Sequence, residues 1–133
     1  MDEINVFVEV EINPTESEEK VKHAIENVFG DIPTQIKSSH EGNFIVAEKS
    51  GKETLTKFHN LLRRERVRNA ARKLFFERLS GETISFCLNK QVAYAGHISF
   101  SKEVAESPLG PIRVTINCKD PKEVINWLTS RIP

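Results

Sequence analysis

No stretch of this 133-residue sequence stays apolar for the roughly 18–20 residues that a membrane-spanning helix requires. The opening MDEINVFVEV is acidic where a secretory signal is basic. The chain therefore reads as cytoplasmic, with no membrane partner. Cysteine is scarce: Cys87 and Cys118 are too few for a disulfide framework, lack CxxC spacing, and each sits in an apolar, strand-like segment. They read as reduced core residues. The histidines, His23, His40, His59 and His97, are scattered and form no metal-ligand spacing. Neither GxxxxGK[ST] nor GxGxxG occurs, so no glycine loop is available to cradle a phosphate. No serine stands in a nucleophile elbow. The expectation is a protein that is not an enzyme, with no cofactor and no metal.

What is present is ordinary in composition and uneven in arrangement. The length fits one domain, residues 1–133, with one core. Formal charge sums to zero, from 19 bases and 19 acids. Yet residues 1–31 hold nine acids against Lys20 and Lys22, and residues 57–78 hold eight bases against Glu65 and Glu77. Such asymmetry bears on partners rather than on fold.

The pattern along the chain gives the elements. Ile4, Val6, Val8, Val10 and Ile12 alternate with more polar positions, the period of a strand with one buried face. Asn13-Pro14 stops it. A helix follows, capped by Thr15 (with Glu18 completing a capping box) or by Ser17, and Val21, Ala24, Ile25, Val28 and Phe29 form its apolar face up to Gly30. Gln35–Ser38 and Asn43–Glu48 read as a hairpin through His40-Glu41-Gly42. From Glu53 to Leu79 the pattern is helical but broken. Leu55, Phe58, His59 and Leu62 make one apolar face, and Val67, Ala70, Ala71, Leu74 and Phe75 another. Extended backwards at 100° per residue, the second face would take in Arg63 and Arg64, so the spacing predicts a break near Arg64–Arg66.

Beyond Ser80-Gly81, Ile84, Phe86 and Leu88 mark a strand. Asn89-Lys90 reads as a tight turn, and Val92, Tyr94, Ile98 and Phe100 as the return strand, with Gly96 at a bulge or close approach. The PLGP segment, Pro108–Pro111, reads as a rigid loop. Ile112, Val114, Ile116 and Cys118 mark the last strand. Asp120-Pro121 starts a final helix that presents Val124, Trp127 and Leu128. The fold class is α+β: a mixed or antiparallel sheet with helices packed on it, in the order βαββααβββα.

The one strongly biased stretch is LLRRERVRNAARKLF, residues 61–75. A charged outer face is normal on an amphipathic helix. This one is nearly of a single sign and favours arginine, whose planar fork suits phosphate. Phe76 falls midway round the polar face, where it either stacks on a base or packs under a neighbouring loop. The pattern points to phosphate contact rather than base reading.

LNKQVAYAGHISF (Leu88–Phe100), SPLGPIRVTI (Ser107–Ile116) and DPKEVINWL (Asp120–Leu128) resemble an archaeal family of small, uncharacterised proteins predicted to bind RNA, some of them assigned as exosome-associated subunits. VEVEINPTESEEKVKHAIENVF (Val8–Phe29) and RRERVRNAARKL (Arg63–Leu74) are similar to the same family, so the resemblance spans nearly the whole chain. It implies a fold similar to the ribosomal protein that contacts 5S ribosomal RNA, and a cytoplasmic setting. It supplies no catalytic residues. The expected function is non-enzymatic binding of structured RNA, possible in RNA processing, through backbone phosphates. Arg63, Arg64, Arg66, Arg68, Arg72 and Lys73 are the main candidate contacts, and Lys90 and Gln91 of the Asn89-Lys90-Gln91 turn are weaker ones. The rival expectation is a protein-interaction module, a homodimer or an adaptor in an RNA-processing complex, docking its basic helix on an acidic surface.

Overall fold

The structure, a computed structural model, describes residues 3–101 and 110–130. The alternating N-terminal segment forms strand β1 (Ile4–Ile12), with Ile4, Val6, Val8 and Val10 buried. Helix α1 (Glu18–Phe29) follows, and its cap is settled: Ser17 Oγ accepts from Lys20 N at 3.1 Å. Hairpin β2 (Thr34–Ser39) and β3 (Gly42–Ser50) follows, paired in antiparallel register from Ser39 opposite Gly42. A 3₁₀ turn (Lys52–Leu55) leads into α2 (Thr56–Arg64), then α3 (Arg68–Arg78). The rest of the chain is β4 (Leu79–Ser80), β5 (Thr83–Asn89), α4 (Lys90–Tyr94), β6 (Phe100–Ser101), β7 (Pro111–Cys118) and α5 (Pro121–Leu128).

The strands form one seven-stranded sheet in the order β2-β3-β1-β7-β5-β4, with β6 also paired to β5. Every pairing among the described residues is antiparallel. The fold is thus the α+β class expected. One face of the sheet carries Val6, Val8, Val114, Ile116, Ile84 and Phe86, all buried beneath the helices. The other face carries Asn5, Phe7, Glu9, Arg113 and Asn117, half-buried or exposed.

Aromatic rings fix the basic helices onto this layer. Phe58 of α2 stacks on Phe86 with centroids 5.6 Å apart, and Phe75 of α3 approaches the same ring at 4.8 Å. Phe58 and Phe75 are fully buried. Burying these faces leaves the arginine positions of both helices on the outside.

The predicted break stands at Glu65–Val67. Arg66 is left-handed at φ 57°, Arg66 N donates to Arg63 O (3.1 Å), and Val67 N donates to Leu62 O (3.2 Å). This is a Schellman ending with Arg66 at the position usually taken by glycine. Val67 packs against the core, the apolar contact that accompanies the motif.

The structure corrects the reading of residues 89–98. No tight turn stands at Asn89-Lys90. Asn89 Oδ1 accepts from Val92 N at 3.0 Å and so caps α4, and the return strand shrinks to Phe100–Ser101. Tyr94 is exposed rather than buried in a strand. Gly96, at φ 87°, lies in no bulge: its N–H bonds to Ala93 O, and that of His97 to Val92 O, a second Schellman ending. Of the PLGP segment, Pro108 and Leu109 lie outside the described residues, and Pro111 opens β7.

Candidate nucleic-acid interface

Helices α2 and α3 meet α5, and the basic residues cluster around that junction. Arg68 Nη1 donates to Ser130 O at 2.7 Å, just past α5. Arg72 Nη1 donates to Asn126 Oδ1 at 2.7 Å and to Thr129 Oγ1 at 3.4 Å. Its guanidinium lies 4.9 Å from the Phe76 ring centroid. That contact accounts for an aromatic ring on a polar face, since the cation covers part of it. Arg64 Nη2 donates to Gly96 O at 2.7 Å while most of the side chain stays in solvent. In each case one nitrogen anchors the guanidinium and others remain for an outside acceptor. The side chains of Arg63, Arg66 and Lys73 have no hydrogen-bond or ion-pair partner among the described residues, and Arg66 and Lys73 are exposed.

One acid, Glu65, stands among these bases and pairs with Arg64 and His97. Glu65 Oε1 accepts from His97 Nδ1 at 2.7 Å and from Ile98 N at 3.4 Å, and its Oε2 lies 3.8 Å from Arg64 Nε. Burial alone would raise its pKa. The bonds from His97 and Ile98, with the charges of His97 and Arg64, outweigh burial and hold the carboxyl below its ordinary value. Glu65 thus stays a carboxylate and offsets part of the positive charge at Arg64.

Three residues of this surface were not among the candidates. His59 stacks nearly parallel on Trp127, centroids 4.7 Å apart, where α2 meets α5. Lys52 Nζ lies 4.7 Å from the Trp127 ring. A basic residue beside half-buried aromatics is a signature of nucleic-acid surfaces. It joins positions up to 75 apart in sequence, and only folding brings them together.

Two candidates sit elsewhere. Lys90 is 3% exposed, and its ammonium donates to Glu11 O at 2.8 Å and to Glu16 Oε1 at 2.9 Å. It faces inward and ties α4 to the end of β1. Gln91 is exposed but lines a cavity between α1 and α4. The open sheet face is no rival basic surface. Glu9, Glu11 and Glu48 lie on it with Arg113 and Lys37. Both cysteines are buried thiols, and burial with the nearby charges of Asp120, Glu82 and Glu123 pushes the Cys118 thiol up. Among the described residues, no three His, Cys, Asp or Glu side chains stand where they could hold a metal, and no helix is long and apolar enough to cross a membrane.

Comparison with known proteins supplies the family. A family model described as RNA binding matches residues 5–118. A UPF0201 protein of Sulfurisphaera tokodaii is 46% identical over 126 residues, covering 95% of this chain and 87% of that protein. One of Sulfolobus acidocaldarius is 42% identical with the same coverage. The crystal structure of the UPF0201 protein of Methanococcus jannaschii superposes with a TM-score of 0.81 at 28% identity, over 94% of this chain and 98% of that one. A DUF54 protein of Methanothermobacter thermautotrophicus shares the fold at a TM-score of 0.67 and 18% identity, over 96% and 99%. None of these resemblances points to an enzymatic family. A match across this much of the sequence, with a shared fold, makes the chain a member of the archaeal UPF0201 family, whose model is described as RNA binding.

Proposed function

We propose that the protein binds structured RNA without chemistry of its own, holding backbone phosphates on the surface formed by α2, α3 and the end of α5. The observation that carries this reading is the state of the arginines. Arg64, Arg68 and Arg72 are each fixed by one short bond to the protein, which lowers the entropy lost on meeting a phosphate, and each keeps further donors outward. Arg63, Arg66 and Lys73 add charge that no described acid neutralises. Lys52, His59 and Trp127 extend the surface with rings on which a base or sugar can rest. Lys90 drops out of the contact set because its charge is spent inside.

The test is a variant carrying Arg66→Glu, Arg68→Glu and Arg72→Glu, bound to fluorescent total tRNA and to a ribosomal RNA fragment at low salt. Loss of about 100-fold or more in affinity, with the circular dichroism spectrum unchanged, is the expected result. Unchanged affinity in a folded variant contradicts the reading.

One observation favours the rival, an interaction module in a larger RNA-processing complex or a homodimer. Strand β2 is a sheet edge with its outer side open, and Ile36 on it is 43% exposed. Mass measurement against salt separates the two causes of association. Charge-driven pairing through the arginines dissolves as salt rises, and edge pairing persists.

A further inference from the structure

The cavity between α1 and α4 plays no part in the arginine surface. Its volume is about 290 Å³, at the lower end of small-ligand sites and suited to one flat ring system. Its accessible wall is the half-exposed ring of Tyr94 with the side chains of Lys20 and Gln91, over a floor of Val21 and Ala24 that are each 1% exposed. The walls are held in place. Asn27 Nδ2 donates to Ala93 O at 3.0 Å and to Tyr94 O at 3.1 Å, locking the end of α4 onto α1.

Glu16 gives the cavity its chemical character. Its Oε1 takes three bonds: from Asn13 N and Asn13 Nδ2 at 3.0 Å each, and from Lys90 Nζ at 2.9 Å. Its Oε2 takes none among the described residues, although Glu16 lines the cavity and its side chain is only 13% exposed. An oriented carboxylate oxygen in a mostly apolar enclosure selects an N–H donor. The Tyr94 ring at its edge selects a planar ring. The Lys20 ammonium, 5.9 Å from the Tyr94 centroid, suits a phosphate just outside. A nucleobase with an exocyclic amino group meets all three requirements. Uracil does not, because its one ring N–H lies between two carbonyl oxygens that a carboxylate repels.

We propose that this cavity takes one unpaired RNA base bearing an exocyclic amino group, whose N–H donates to Glu16 Oε2 while its ring lies against that of Tyr94. The proposal rests on the RNA-binding reading and adds a base-selective site to a surface that otherwise holds backbone. Arg64, bonded to Gly96 just after α4, links the two regions.

Free nucleosides test the cavity apart from the arginines, because they carry no phosphate. In ¹⁵N NMR titrations of the full chain, adenosine and cytidine are expected to shift the amides of Thr15, Gln91 and Tyr94 saturably, with affinity about tenfold above that of uridine. Glu16→Gln, which can offer an amide donor where Oε2 stood, is expected to erase or reverse that order. Tyr94→Ala removes a half-exposed ring, keeps the test open should Glu16→Gln unfold, and is expected to weaken adenosine and cytidine about threefold or more. No saturable shift at these amides, or equal shifts for all nucleosides in both Glu16 forms, overturns the proposal. RNA hairpins with a single bulged A or U separate the two readings. Hairpin binding indifferent to the bulge and to Glu16→Gln overturns the base site and leaves the phosphate surface standing. Nucleoside binding without any hairpin binding overturns RNA as the occupant.

Discussion

Arg66 occupies a backbone conformation that costs an L-residue about 1–2 kcal/mol and costs glycine almost nothing. Helix α4 ends in the same hydrogen-bond pattern with Gly96 at the equivalent place. A charged residue where glycine is cheaper points to use of its side chain. Arg66→Gly is therefore expected to raise stability by about 0.5–1 kcal/mol in thermal denaturation while weakening RNA binding. A variant that is less stable, or that binds RNA equally well, contradicts that trade. The pair Lys90–Glu16 works in the opposite sense, as buried structure. Lys90→Met leaves Glu11 O and the Glu16 carboxylate short of a partner and is expected to lower stability by about 3 kcal/mol in urea denaturation. Burial raises the Glu16 pKa, but the bonds from Asn13 and the bond and charge of Lys90 outweigh it and hold the folded value below the ordinary one. The folded state thus binds this proton less readily than the unfolded chain. The contribution is complete above the unfolded carboxylate value and is lost as pH falls through the folded value. Stability against pH is expected to drop in that acid window, more shallowly in Lys90→Met.

At the scale of elements, α2 and α3 were legible because two apolar faces could not be superposed on one straight helix. The stop at Arg66 follows from Leu61 and Leu62 facing the core on one side of the break and Ala71 and Phe75 on the other. Phe75 anchors this arrangement against Phe58 and Phe86, and Phe75→Ala is expected to cost about 3–5 kcal/mol. Unfolding midpoints within 1 kcal/mol of wild type would count against that packing. Residues 90–94 misled because Val92, Tyr94, Ile98 and Phe100 alternate as a strand would, while the cap at Asn89 and a partner for Lys90 decide otherwise. That partner is Glu16, 74 positions earlier, and no local pattern contains it. The same distance in sequence hid the site's aromatics. The arginines were visible as a run, whereas His59 and Trp127 read as ordinary apolar-face residues until α5 folded against α2.

For the whole molecule, the even charge balance conceals a basic side built on α2 and α3. The acids of residues 3–31 lie on β1, α1 and the segments flanking them, and one oxygen of Glu16 among them is bonded to Lys90. Phosphate binding by such a surface has an electrostatic signature that packing against another protein does not reproduce: each neutralised phosphate releases condensed counterions. The decisive measurement is RNA affinity across a series of salt concentrations, for wild type and for the folded variant with Arg66, Arg68 and Arg72 changed to glutamate. The account predicts that log affinity of the wild type falls linearly with log salt, by about 0.7–0.9 per phosphate contact, and that the variant loses roughly three contacts' worth of slope. A wild-type line that is nearly flat, or a variant with the same slope as wild type, would contradict it.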